Sequence, residues 1–355
     1  MYKQEMDKKL EQIANKNNVK ILAIESSCDE TSVAIVENGR NVLSCVTDTQ
    51  IEIHKRFGGV VPEVASRNHI LAIENVCREA LAQANLTYDD IDAIAVTYGA
   101  GLLGALLVGV NFAKGLAYAL NKPLLAINHI KGHIASNYIS HKNLTPPFVC
   151  LLVSGGHTAI LNVKSYTNFE MIGSTVDDAV GEAFDKVARI MGLSYPGGVN
   201  IDNYAKLGIP SIEFAHKNIL AGTYNFSFSG IKTAVINYVH NKQQKGEEIS
   251  IPDISASFQN FVVGELAGKT VKAVNSFKYK KLVVAGGVSA NSYLKRKLTE
   301  ESEKNNFDLY MPELKYCTDN AAMIGACAYF ELINGMKSSD FNLTATSTIP
   351  LVQNN

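Results

Sequence analysis

Residues 20–36, KILAIESSCDETSVAIV, decide how this chain is read. Two apolar, β-branched runs, KILAI at 20–24 and TSVAIV at 31–36, flank the six-residue turn ESSCDE. That pattern predicts strand, tight polar turn, strand. The design returns about 125 residues further on, as FVCLLV at 148–153, the short turn SGGH and TAILNV at 158–163. Repeats this far apart point to a duplicated domain and not to a solenoid.

Working outward, further strands are expected at 93–97, 124–127 and 281–284. Helical periodicity runs through 64–84, 103–120, 177–191, 254–277 and 320–333. Strands alternating with helices predict an α/β fold with a largely parallel or mixed sheet. Met6, Leu10 and Ile13 fall at helical spacing, so residues 1–18 read as an amphipathic helical extension. The expected division is 19–128 with the C-terminal helix 320–335 in one subdomain and 129–319 in the other. Residues 241–252, NKQQKGEEISIP, read as a surface loop, and 336–355 as a polar, loosely held tail.

Composition narrows the function. The 355 residues carry 33 basic and 34 acidic side chains, for a formal charge of −1. That excludes a globally basic nucleic-acid coat and a polyanionic disordered chain. The six cysteines show no C-x-x-C pair, so reduced thiols in a cytosolic protein are expected. The first twenty residues lack the apolar stretch of a secretory signal. The most apolar window, 99–110, is shorter than the roughly 20 residues of a bilayer span, so no membrane is expected. No Asp or Glu lies between Asp92 and Glu170, a stretch that holds four of the eight histidines. It is either buried core or a face for an anionic ligand.

His129 and His133 stand at i, i+4 in AINHIKGHIASNY, on one helix face. Two such histidines can ligate one metal, or can be ordinary surface or capping residues. Ile130 follows His129 where a metallopeptidase helix carries its general-base Glu. A third ligand must come from a distance. Asp319 in CTDNAAMI is a candidate, and equally a helix N-cap.

Three glycine turns can hold phosphate through exposed N–H groups: Ser154, Gly155 and Gly156; Gly197 and Gly198; Gly286 and Gly287 ahead of Asn291. Gly99, Gly101 and Gly104 match G-x-G-x-x-G after a strand. A dinucleotide site also needs an acid about 20 positions later, which the acid-free stretch excludes. Asp178, Glu182 and Asp185 share one face of an acidic helix, either solvated or binding ligand hydroxyl or amino groups.

Taken together, IESSCDETSVA, FGGVVPEVASRNH, NHIKGHIASN, LLVSGGHT, GEAFDKVAR, YPGG, FSFSGIKT, GGVSAN and TDNAAMI make the chain resemble the TsaD/Kae/Qri family. Its members are transfer-RNA N6-threonylcarbamoyladenosine transferases. The match runs from about Ile21 to Phe330. One departure is Ala100, where the family often has Pro. The resemblance implies an actin/hsp70/sugar-kinase-like (ASKHA) fold, with two duplicated α/β subdomains around a cleft. It implies that His129, His133 and Asp319 ligate one metal, iron(II) first and zinc as the alternative. It also implies that Leu152, Val153, Ser154, Gly155, Gly156, Asp185, Gly198, Asp202 and Asn291 bind threonylcarbamoyl-AMP.

The implied reaction passes the threonylcarbamoyl group to N6 of adenosine 37 in tRNAs reading codons that begin with A. The implied partners are tRNA, a TsaB-like paralogue docking on helix 64–84, and a TsaE-like ATPase. Glu25, Asp29 and Glu30 in the first turn are candidates to accept the amine proton. Cytoplasmic location is expected. The competing readings are a metallopeptidase, an ATPase or kinase of the same fold, and a non-catalytic scaffold.

Overall fold

The computed structural model describes residues 2–214, 220 and 222–350. Each hairpin read from the sequence seeds a five-stranded sheet, in a separate unit. The first unit takes the described residues of Met1–Pro146, Ser165–Asn168 and Pro312–Asn355; the second takes those of Pro147–Lys164 and Phe169–Met311.

The first unit opens with α1 (Tyr2–Ile13), then β1 (Lys20–Glu25), β2 (Glu30–Glu37) and β3 (Asn41–Thr49). There follow α2 (Ile51–Lys55), α3 (Pro62–Ala84), β4 (Ala93–Gly99), α4 (Leu103–Ala119), β5 (Leu124–Asn128) and α5 (His129–Ser140). The second unit holds β6 (Phe148–Val153), β7 (Thr158–Val163), β8 (Phe169–Ser174), α6 (Val180–Ile190), α7 (Gly197–Ala205), α8 (Ser229–Gln244) and α9 (Ile251–Phe277). It closes with β9 (Lys281–Ala285), α10 (Ser292–Asn305) and β10 (Asp308–Tyr310). The chain then returns to the first unit with α11 (Ala321–Ile333).

The strand orders are β3-β2-β1-β4-β5 and β10-β9-β6-β7-β8. Read from the hairpin outward, these are one topology used twice. β1 pairs antiparallel with β2 and parallel with β4; β6 pairs antiparallel with β7 and parallel with β9. Ala23 faces Ala34 in one hairpin and Leu151 faces Ile160 in the other. A hairpin next to a parallel crossover gives a mixed sheet, as the sequence pattern led one to expect.

Three strands escaped the pattern. β3 buries only Ser44 fully, and its last three residues are exposed. β8 and the three-residue β10 are likewise outer strands with exposed positions. Edge strands packed on one side lack the apolar runs by which β1 and β6 are recognised.

The acid-free stretch is largely core. β6 and β7 are buried at every position, and α5 buries ten of its twelve residues. Apolar burial, and not an anion-binding face, accounts for most of the missing acids. Met6, Leu10 and Ile13 of α1 are all buried, as their spacing predicted.

Two expectations shift. Residues 129–146, 165–168 and 312–319, assigned by sequence to the second subdomain, pack in the first unit. The reason is α5, whose buried face lies on α11, with Lys131 of one paired to Glu331 of the other at 2.6 Å. The tail is also held more firmly than its polarity suggested. Ser338 N–H donates to Asp7 Oδ1 at 2.7 Å, Thr346 N–H donates to the Tyr98 carbonyl at 2.9 Å, and Ala345 enters the core. Its last part, 351–355, lies outside the described residues. None of the six cysteines is in a disulfide, and no described helix is long and apolar enough to cross a membrane.

Candidate metal centre

β5 runs directly into α5, with Asn128 as the cap: its side chain accepts from the Ile130 N–H at 2.9 Å. The strand end therefore fixes His129 in the first turn of α5, and His133 follows one turn later on the same face. Both are buried, at 8% and 1% exposure. Gly132 between them is required by packing. A Cβ there would sit 2.7 Å from Ile324 Cδ1 of α11. That close approach carries the start of α11, and with it Asp319, to the histidines.

Asp319 is not the cap of α11. Asn320 is, accepting from the Met323 N–H at 3.0 Å. Replacing Asn320 with Ala is expected to cost about 1 kcal/mol, read from urea unfolding, as for other lost caps. Asp319 Oδ1 lies 3.2 Å from His133 Nε2 and 3.5 Å from His129 Nε2. One ligand atom from each of the three residues lies within 4.8 Å of the others. The two rings meet edge to face at 4.6 Å.

These residues fit a metal ion on an observation independent of resemblance. Neither ring nitrogen of the buried His133 makes a hydrogen bond among the described residues; the Nε2 approach to Asp319 has the distance of one without the alignment. A buried ring nitrogen without a hydrogen bond is costly, and a cation held by Nε2 and the Asp319 carboxylate would remove the cost at Nε2.

The surrounding charges point the same way. Burial pushes the Glu30 carboxyl up, and the Asp319 and Asp29 charges add to this, taking it to about 10. Burial opposes the charged form of His129, but Asp319 and Glu25 outweigh it and lift the imidazole to about 9. A divalent cation would offset the negative charge of Asp319, which contributes to both shifts. Asp29 is 4% exposed, and its Oδ2 makes no hydrogen bond among the described residues.

Glu25 differs from its neighbours in the turn. It is fully buried, its Oε1 accepts from the Ser27 N–H at 2.6 Å, and its Oε2 accepts from the Thr97 hydroxyl at 2.5 Å. Oε2 also lies 3.2 Å from His129 Nδ1. A carboxylate so engaged is poorly placed to take a proton from substrate, which counts against the acceptor role offered by the sequence. Burial pushes it up, yet the His129 charge and the hydrogen bonds from His129 and Ser27 hold it below the usual carboxylate range. A cavity of about 550 Å³ in the same unit is lined by Glu30, Cys45, Thr47, Tyr316, Asp319 and Asn320. It opens onto one of the three candidate ligands.

The remaining candidates lie in the second unit. Ser154 closes the SGGH turn: its N–H donates to the His157 carbonyl at 2.8 Å and its Oγ accepts from the His157 N–H at 3.1 Å. Gly155 and Gly156 are exposed, with open space where a Cβ would stand. Leu152 and Val153 are buried strand residues, so their side chains are packed away from solvent. Asp185 Oδ1 accepts from the Gly197 N–H at 2.7 Å, which ties α6 to the first turn of α7, where Gly198 sits. Asp202 accepts from Ser292 Oγ at 2.9 Å and pairs with Lys206 at 3.1 Å. Asn291, beside Ser292, caps α10 and donates to Gln259 Oε1 at 2.7 Å.

The acidic face is charge-paired. Asp178 lies ahead of α6 and pairs with Lys186 and Lys232; Glu182 pairs with Lys186. The G-x-G-x-x-G segment lies against the first hairpin's turn, where the Leu102 N–H donates to the Ser27 carbonyl at 2.8 Å. Sequence reasoning missed Ser27, Thr97 and Gly132. Two are common small polar residues at strand ends, and only the helix contact gives Gly132 a meaning.

Comparison with known proteins gives the family and the fold. Residues 41–326 match the family model described as TsaD, tRNA N6-adenosine threonylcarbamoyltransferase. A protein of that name from Clostridium botulinum (strain 657 / Type Ba4) is 57% identical over 325 residues, 91% of this chain and 96% of the relative. Full-length HypF, solved in a phosphate- and nucleotide-bound form, is similar at a TM-score of 0.60 and 17% identity, over 88% of this chain and 46% of that one. Component A of the (R)-2-hydroxyglutaryl-CoA dehydratase of Acidaminococcus fermentans gives 0.51 and 15%, over 88% and 99%. At such identities the structural likenesses bear on the fold alone, which is of the ASKHA type.

Proposed function

The chain belongs to the TsaD family of tRNA N6-adenosine threonylcarbamoyltransferases, and from that premise we propose that His129, His133 and Asp319 form its metal centre. The protein is a transferase that modifies tRNA at adenosine N6. The observation that carries the centre is the buried imidazole of His133, neither of whose nitrogens is hydrogen-bonded among the described residues, facing Asp319 and His129. Iron(II) is the proposed ion, with zinc as the alternative. When bound, it supplies a Lewis acid and template for oxygen groups of the substrate.

The donor is threonylcarbamoyl-AMP and the acceptor is adenosine 37 of tRNAs that read codons beginning with A. The bond from the carbamoyl carbon to the phosphate oxygen breaks, the bond to N6 forms, AMP leaves, and one N6 proton passes to a base. That amine is a weak nucleophile, because its lone pair is delocalised into the ring. Positioning it is therefore most of the work. Of the three carboxylates in the turn, Asp29 has a buried oxygen, Oδ2, that makes no hydrogen bond among the described residues, and it is the proposed proton acceptor. The open Gly155 and Gly156 backbone is suited to the donor's phosphate. Asp185, Gly198, Asp202 and Asn291 hold the surrounding turns in place and offer further polar atoms to the nucleoside.

A near-neutral chain gains little from charge alone in holding an anticodon loop. Help from a TsaB-like paralogue and a TsaE-like ATPase is therefore part of the proposal, as is a cytoplasmic setting. α3, with Ile70 and Leu71 exposed, is the proposed docking helix. The metallopeptidase reading is not favoured: Ile130, 3% exposed, occupies the general-base position.

Reconstitution tests the reading. Labelled threonine, bicarbonate, ATP, the synthase that makes the intermediate, unmodified tRNA, this chain and its partners should yield labelled N6-modified adenosine. No label above the chain-omitted control refutes it.

A further inference from the structure

We propose that Glu25 is a positioning residue that sets the tautomer of His129, accepting a hydrogen bond from Nδ1–H so that Nε2 presents its lone pair to the metal. The inference rests on the metal centre proposed above. It goes beyond it by giving a role to a buried carboxylate that the transfer reaction does not use.

Glu25 ends β1, where the four preceding residues are apolar and fully buried. A carboxylate there is costly unless every lone pair is used. Its contacts form one directed set. The Ser27 backbone N–H holds Oε1 at 2.6 Å, and the Thr97 hydroxyl holds Oε2 at 2.5 Å from β4. His129 Nδ1 is 3.2 Å from that same Oε2 and 3.1 Å from Ser27 Oγ. An ionised carboxylate only accepts, so Nδ1 must be the donor. With a metal displacing its second proton and the remaining one on Nδ1, the imidazole would offer its lone pair at Nε2. Nε2 is the atom on the Asp319 side of the ring. Carboxylates that hold the far nitrogen of a metal-bound histidine fix both ring orientation and basicity.

The isosteric Glu25→Gln variant separates tautomer from shape. The Ser27 backbone N–H cannot be turned round, so the amide oxygen must remain against it. The amide NH2 then faces His129 Nδ1 and makes that nitrogen the acceptor. The ring proton moves to Nε2, the wrong side for metal. Thr97 can rotate its hydroxyl and adapt, so Thr97→Val removes one support without reversing polarity.

The test is Zn2+ binding to the metal-stripped, full-length chain, by competition with a chromophoric chelator, beside the melting temperature of each metal-free protein. Wild type should bind one ion and His133→Ala should lose it. Glu25→Gln should bind about 10–100-fold more weakly, the usual effect of losing such a support, with its metal-free melting temperature unchanged. Thr97→Val should show a smaller loss. If Glu25→Gln binds as tightly as wild type while His133→Ala does not, the inference is wrong and the metal centre stands. A loss that tracks falling melting temperature in both variants assigns Glu25 to the fold alone and also overturns it. If wild type and His133→Ala bind Zn2+ alike, it is the metal centre itself that fails.

Discussion

Replacing His129 and His133 together with alanine is expected to lower threonylcarbamoyl transfer by at least about 1,000-fold, with the chain still folded. A Lewis acid supplies several kcal/mol to a transfer of this kind, and each 1.36 kcal/mol is worth about tenfold. Survival of the fold follows from what the rings do not do. His133 makes no hydrogen bond among the described residues, and its removal takes from Asp319, one-fifth exposed at its side chain, only the close approach of Nε2. α5 remains seated through Ile130, Ile134 and Ile139, all buried, and through the Lys131–Glu331 pair. Removing His129 does expose a debt at Glu25, which loses one donor but keeps Ser27 and Thr97. The double variant should keep its far-ultraviolet dichroism, carry no metal by elemental analysis, and give no labelled nucleoside in the reconstituted reaction. Full activity in a metal-depleted double variant would remove the metal from the mechanism.

How much of this was legible in the sequence depended on what kind of contact made each feature. The two hairpins were readable because a buried strand beside a tight turn is a local pattern, and β6 and β7 fall on the residues named for them. The outer strand β3 was not, since half its surface faces away from the core and its residues look like loop. The histidine pair was visible as a pair, because i, i+4 spacing is local. Its meaning stayed open on spacing alone and came, with Asp319 as third ligand, from the resemblance; the packing of α11 on α5 across Gly132 is what brings Asp319 there. Asp319 and Asn320 are adjacent acceptors ahead of one helix, and only coordinates show that Asn320 is the cap. Glu25 misled in the opposite direction. In sequence it belongs with Asp29 and Glu30 as a turn acid. In the fold it is the inward end of a buried strand, with its oxygens already engaged. The acid-free stretch admitted a charged and an apolar explanation, and burial along β6, β7 and α5 favours the apolar one.

Gly286→Val should damage the second unit severely, lowering its stability by about 2–6 kcal/mol. Gly286 has φ +95° and ψ 165°, a region essentially reserved for glycine, and a side chain forced into it costs about 1–3 kcal/mol. A Cβ would stand 2.4 Å from the Val153 carbonyl oxygen and 3.2 Å from Ser154 Cβ, and such overpacking adds about 1–3 kcal/mol. Neither neighbour can yield cheaply. Val153 is paired in β6 with Thr158, and Ser154 closes the glycine turn through two bonds to His157. Relief must therefore come from moving the end of β9 away from the turn, which carries Asn291 and the start of α10 with it. Transfer activity should fall further than the folded fraction does, because the turn proposed for the donor's phosphate is displaced even in molecules that stay folded. The stability term is read from the urea midpoint at unchanged slope. Gly155→Ala serves as the control, since its Cβ meets only open space. Its stability should stay within about 0.5 kcal/mol of wild type, as for other surface changes. Equal destabilisation by the two variants would mean that the close approach of Gly286 to the Val153 carbonyl does not constrain this turn.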